Sequence, residues 1–231
     1  MPVTDIVVRW SEPLAAEDRY LKLLDDLERG RYDAYRLEID QRRFLTGRVL
    51  AKTLVAERLG GAAESVRFDA TCDDCGKPHG RPRVPGSDLV LSISHSGNLI
   101  GLAVTDGVPV GLDVETATRK ADASLVEYAL SPAEREAVAG LSDEERSAAF
   151  FIYWTRKEAV MKATGKGLKI PLQSITFSRY DAPAELVASG DEALDPARTR
   201  LADLKAADGH RAAVAALTAD SLSVTEEHWL P

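Results

Sequence analysis

The chain has 231 residues, 45% of them hydrophobic and 29% charged, the balance of a folded globular protein and not of a disordered one. Its formal net charge of −8 excludes a general nucleic-acid binder, whose affinity rests on neutralising phosphates across a basic surface, so any anionic ligand must be met by a local basic patch. The first ten residues carry Asp5 and no basic leader, and the densest apolar run, 148–154, is too short to cross a bilayer. A cytoplasmic protein with no membrane partner is expected.

Residues 14–59 predict mainly helix. Leu21, Leu24 and Leu27, then Phe44, Leu45, Val49, Leu50, Leu54, Val55 and Leu59, recur at helical spacing and stop at Gly60-Gly61. Between Arg29 and Arg58 basic residues outnumber acidic ones by four, which suits either a solvated helix face or a patch for phosphates. Residues 62–88 read as loop, broken by Gly76, Pro78, Gly80, Pro82, Pro85 and Gly86. Within it Cys72 and Cys75 make no disulfide framework. With His79 they offer three zinc ligands and no evident fourth, so a structural loop is the expectation.

Residues 89–94 and 99–105 predict a hairpin around Ser94-His95-Ser96-Gly97. After the turn at Asp106-Gly107, a strand from Val108 carries Asp113 and Glu115 out on one side by alternation. Ser131-Pro132-Ala133-Glu134 is a helix cap with proline at the first helical position, and Ser142-Asp143-Glu144-Glu145 repeats the signal. The second cap opens a helix of about twenty residues that buries Phe151 and Trp154, sets Glu158 and Lys162 on one face four residues apart, and stops at Gly165. The cluster Phe150, Phe151, Tyr153 and Trp154 reads as core. Further strands are predicted over 174–179, on either side of Asp208-Gly209, and over 222–225. Residues 95–106 and 209–220 echo one another, each a polar turn feeding a small-residue apolar strand. An α+β fold follows, of two similar subdomains, 1–107 and 108–231, related by a pseudo-two-fold with the active site in the cleft between them.

Asp113, Glu115 and Glu158 are hard oxygen donors of the kind Mg²⁺ takes, with Mn²⁺ as an alternative, and Lys162 would place an ammonium on a phosphate where charge grows during transfer. The set suits a metal ion holding a pyrophosphate. No Gly-x-Ser-x-Gly elbow exists for a serine hydrolase, and Gly165-Lys166-Gly167 follows a helix without Walker spacing.

Gly111-Leu112-Asp113-Val114-Glu115, then Trp154-Thr155-Arg156-Lys157-Glu158 and Lys162-Ala163-Thr164-Gly165-Lys166-Gly167-Leu168, closely resemble the signature of the 4′-phosphopantetheinyl transferases. Size matches the monomeric, double-length class typified by the surfactin-synthetase activator. Ser92-Ile93-Ser94-His95-Ser96, Arg43-Phe44-Leu45-Thr46-Gly47 and Gly80-Arg81-Pro82 resemble its other motifs, and the resemblance runs from about residue 40 to 172. It implies an enzyme that moves the phosphopantetheine arm of coenzyme A, its co-substrate, onto a serine of an apo acyl or peptidyl carrier protein and releases adenosine 3′,5′-bisphosphate. It further implies Asp113, Glu115 and Glu158 as Mg²⁺ ligands and Lys162 at the pyrophosphate. Arg43, Arg81, Ser94 and His95 would hold coenzyme A, with Arg43 and His95 near the 3′-phosphate. Arg29 and Arg31 lie in the region of further basic ligands without a fixed alignment. Glu158 is expected to act as general base, with Asp113 and Glu115 contributing more to metal affinity. Carriers are expected near 116–128 and 150–161. The competing classes are a Mg²⁺-dependent pyrophosphate hydrolase and a non-catalytic carrier-binding module.

Overall fold

The computed structural model describes residues 2–230 except 73, 74, 79 and 119. Ahead of the predicted elements lies an additional strand, β1 (Val3–Ser11), in which buried Ile6, Val8 and Trp10 alternate with Asp5, Val7 and Arg9. Residues 14–59 divide into three helices, α1 (Asp18–Leu21), α2 (Asp26–Ala34) and α3 (Glu38–Leu59). The region 62–88 has a single 3₁₀ turn and the isolated bridges Asp69–Arg83 and Arg83–Val90 among its described residues, as its glycines and prolines require. The hairpin of β2 (Leu89–Ser96) and β3 (Leu99–Asp106) follows, and then β4 (Val110–Thr116). The second half continues with α4 (Ala123–Ala129), α5 (Pro132–Val138), α6 (Asp143–Thr164), β5 (Ile175–Phe177), β6 (Leu186–Ser189), β7 (Arg200–Leu204), β8 (His210–Ala216) and β9 (Ser221–His228).

One sheet has the order β2-β3-β1-β9, a second β4-β8-β7, and β5 with β6 forms a small third. All pairings are antiparallel except β1 with β9, which runs parallel from Val3 opposite Ser221 to Trp10 opposite His228. The last strand, far beyond residue 107, thus completes the sheet of the first half. Leu50 and Leu54 of α3 pack on Leu91, Ile100 and Leu102. Phe150, Tyr153 and Val160 of α6 pack with Ala213 and Ala215 of β8, so the aromatic cluster is core as its spacing predicts. Each such large side chain taken fully from water contributes roughly 1.5–3 kcal/mol.

The α+β architecture carries an internal duplication that goes deeper than the strand echo. α3 and α6 both have 22 residues, and the fifteenth of each is a fully buried lysine. Lys52 Nζ meets Glu28 Oε2 at 2.8 Å and donates to the Val66 carbonyl at 3.1 Å, 5.9 Å from the Phe68 ring centre. Lys157 Nζ meets Glu134 Oε2 at 2.7 Å, donates to the carbonyls of Leu172 and Ile175, and lies 5.9 Å from the Phe177 ring centre. Glu28 and Glu134 are each the third residue of their helix and complete a capping box, closing α2 on Asp25 and α5 on Ser131. One carboxylate in each half therefore caps a helix and neutralises a lysine that cannot reach water, a pairing that burial makes obligatory.

Candidate active site

β2 and β4 are the edge strands of their sheets and lie side by side in the same direction, joined through side chains where a backbone ladder would otherwise run. Ser92, Ser94 and Ser96, every second residue of β2, accept hydrogen bonds from the backbone N–H of Leu112, Val114 and Thr116 at 2.9, 3.3 and 3.1 Å. Arg81 continues the seam, donating from Nε to the Leu91 carbonyl at 2.8 Å and from Nη2 to the Val110 carbonyl at 2.6 Å. Two edges that would each expose unpaired backbone groups are closed on one another.

Gly111, Asp113 and Glu115 share the face of β4 that meets α6. A Cβ on Gly111 would stand 2.0 Å from the Ala159 carbonyl oxygen and 2.5 Å from the Ala163 nitrogen, so only glycine lets the helix backbone approach this far. That approach delivers Lys162. Its Nζ donates to Asp113 Oδ1 at 2.7 Å and to Ser94 Oγ at 2.9 Å, while Ser94 Oγ donates to Asp113 Oδ1 at 3.0 Å. Glu158, one helical turn earlier, is half-buried on the same face. Glu115 accepts from Ser96 Oγ at 2.9 Å.

Burial pushes the Asp113 carboxyl above its ordinary pKa although Lys162 pulls it down. Glu158 is raised as well, by burial first and then by the negative charge of Asp113, with Lys162 opposing and Glu115 adding to the rise. Among the described residues no group of three histidine, cysteine or acidic side chains stands as a ready metal shell. The donor set nonetheless fits a hard divalent cation. Asp113 Oδ2 is buried with no hydrogen-bond partner, and the Asp113, Glu115 and Glu158 carboxylates repel one another.

Across the seam, Arg43 donates from Nε and Nη2 to the Gly97 carbonyl at 3.0 and 2.7 Å and from Nη1 to Asp40 at 2.9 Å. Gly97 turns β2 into β3 with φ of 57°, and a Cβ there would stand 2.7 Å from Thr116 Oγ1. His95 points away from the seam serines and is exposed. Partial desolvation of its ring, then the charges of Arg43 and Lys162, hold its pKa below the ordinary value. Arg43, His95 and Lys162 therefore share one positive neighbourhood, and beside Lys162 a cavity of about 280 Å³ opens between Ile93 and Met161. The structure thus brings together Asp113, Glu158, Lys162 and Ser94, sets Glu115 one step along the seam, and spends the Arg81 guanidinium on seam carbonyls. Arg31 donates to the Pro78 carbonyl and Arg29 pairs with Asp33, both at the surface. Cys72 lies in a turn, its carbonyl taking the Gly76 N–H at 2.9 Å, while His79 is outside the described residues. Gly111 and Ser96 had no role assigned from the sequence; the signal was glycine opening a strand toward a helix, and serine at every second strand position.

Residues 109–215 match the model of the 4′-phosphopantetheinyl transferase superfamily, and residues 9–106 that of the 4′-phosphopantetheinyl transferase N-terminal region. The chain is 33% identical over 171 residues to the 4′-phosphopantetheinyl transferase HetI of Nostoc, covering 72% of this chain and 71% of that one. It belongs to the 4′-phosphopantetheinyl transferase family, and it is a transferase. Similar relatives include a 4′-phosphopantetheinyl transferase of Bacillus subtilis, 28% identical over 75% of both chains, and Sfp of Bacillus subtilis strain 168, 26% identical over 71% of both. The hydrolase and binding-module alternatives find no support in these relatives.

Proposed function

We propose that this enzyme transfers the 4′-phosphopantetheine arm of coenzyme A to a serine of apo acyl or peptidyl carrier proteins, and that it works as a cytoplasmic monomer with Mg²⁺ or Mn²⁺ bound. The observation that carries the reading is the gathering of Glu158 and Lys162 at the buried Asp113 carboxylate, whose Oδ1 takes Lys162 while Oδ2 is left without a hydrogen-bond partner. Asp113, Glu115 and Glu158 would hold the ion, which when bound supplies positive charge to neutralise pyrophosphate oxygens. Lys162 Nζ stands beside that point and is available to the phosphate that leaves. Arg43 and His95 form a positive neighbourhood for the 3′-phosphate. Arg81 and Ser94 support coenzyme A by holding the strands that border it.

In the transfer, the carrier serine oxygen bonds to the phosphorus of the phosphopantetheinyl group and the pyrophosphate P–O bond breaks, freeing adenosine 3′,5′-bisphosphate. The serine proton needs an acceptor. Glu158 is the half-buried carboxylate facing the cleft, and its raised pKa makes it a better base than an ordinary glutamate. No helix among the described residues is long and apolar enough to cross a membrane. Both halves of the site lie in one chain, which supports the monomer, and the acidic net charge supports the absence of a nucleic-acid partner.

Intact-mass spectrometry of an apo carrier protein incubated with the enzyme, coenzyme A and Mg²⁺ tests the reading. A gain of one phosphopantetheine arm, lost with a chelator and with Glu158→Ala, is expected. No gain across several carrier types, with coenzyme A still bound, would sink it.

A further inference from the structure

Each seam serine has one hydroxyl proton and two lone pairs to place, and their partners differ. Ser92 Oγ takes the Leu112 N–H. Ser96 Oγ takes the Thr116 N–H at 3.1 Å and donates its proton to Glu115 Oε2 at 2.9 Å, so the Thr116 hydroxyl, 3.2 Å away, must donate to the remaining lone pair. The Ser96 carbonyl is also held, 3.2 Å from His210 Nε2. Ser96 is therefore fixed on three sides by β4 and β8, and its one free direction is toward the Glu115 carboxylate.

We propose that Ser96 is a positioning residue for the transfer reaction, whose hydroxyl fixes the Glu115 carboxylate and thereby registers the metal-holding strand β4 against the phosphate-binding turn at His95 and Gly97. The inference rests on the metal reading above. A glutamate on a strand end has three side-chain torsions to settle, and a hydrogen bond from a rigid donor settles the last of them before any ion arrives. Ser92 makes the same kind of seam contact with the Leu112 amide, so loss of a seam bond and loss of carboxylate positioning are separable in one protein.

The test is Mn²⁺ binding in the presence of coenzyme A, read from the electron paramagnetic resonance signal of free Mn²⁺, for the full chain and three variants. Ser96→Ala should weaken Mn²⁺ affinity by about 10-fold or more, in the range that outer contacts to metal ligands contribute. Ser96→Thr, which keeps the hydroxyl, should restore it, and Ser92→Ala should leave it at the parent value. Should Ser96→Ala fail to fold, Ser96→Cys takes its place in the same titration, since it keeps the side-chain size with a weak donor. Equal effects of Ser92→Ala and Ser96→Ala would overturn the proposal in favour of strand register alone, as would an unchanged affinity in Ser96→Ala. A parent protein that binds no Mn²⁺ would overturn the metal reading itself, a result distinct from either.

Discussion

The helices α3 and α6 are the same length, carry their buried lysine at the same place, and close it on a capping-box glutamate and a phenylalanine in the same way. They differ at the positions that in α6 face the cleft. Where α6 presents Glu158 and Lys162, the matching places in α3 hold Thr53 and Glu57, and Glu57 pairs with Arg9 at 2.6 Å. α3 instead contributes Arg43, near its start, to the positive neighbourhood. Two copies of one scaffold have thus kept the interior that folds them while the side chains around the cleft differ, an arginine from α3 and a glutamate with a lysine from α6. What is duplicated is stability; what has diverged is chemistry.

That contrast can be broken in order of effect. Glu158→Gln should lower turnover by roughly 10²- to 10⁴-fold without moving the thermal midpoint, while Thr53→Val at the matching place leaves turnover unchanged. Steady-state transfer assays at saturating coenzyme A decide between these. Removing either buried lysine strands its glutamate, so Lys52→Met and Lys157→Met should each cost about 3–5 kcal/mol in chemical denaturation. Turnover per folded molecule should fall for Lys157→Met alone, whose neighbour is Glu158. If Lys52→Met were tolerated, the two clasps would not be equivalent.

Gly111→Ala places a methyl against the Ala159 carbonyl and should cost about 1–3 kcal/mol, with Lys162 displaced from Asp113 and a raised KM for coenzyme A. The smallest effect is a pH dependence. His95 titrates below its ordinary value of 6.5 in the folded protein, so the unfolded chain binds its proton first as pH falls. The stability present above pH 6.5 is therefore lost as pH drops from there through the lower folded value, and His95→Asn should flatten that part of the profile. An anionic ligand beside the ring favours the protonated form, so coenzyme A binding should take up protons in calorimetry and cease to do so in the same variant.

Local features were legible. The capping boxes at Asp25, Ser131 and Ser142 and the glycine stops at Gly60 and Gly165 act within a few residues, and all of them but the Asp25 box delimited elements directly from the sequence. β1 escaped, although Ile6, Val8 and Trp10 alternate correctly, because a nine-residue strand with a polar partner face gives little signal beside long helices. The site residues were readable as types and spacings, while their present partners were not. Glu134 reads as a cap, and only the tertiary structure shows that it also neutralises Lys157. For Arg81 the resemblance implies a coenzyme A contact, and only the meeting of β2 with β4 shows its guanidinium held by Leu91 and Val110 carbonyls. Such contacts depend on which edges meet, and no local pattern encodes that.

The pairing of β1 with β9 sets an order of events during synthesis. β1 leaves the ribosome some 218 residues ahead of Ser221–His228, its neighbour on one side. Until β9 is made, β1 is an edge strand of the first sheet, with unpaired backbone groups on which a nascent chain can pair wrongly. The first half therefore cannot complete its sheet as an independent early domain, and the slow step of folding should be this long-range closure, which waits until β9 has been made.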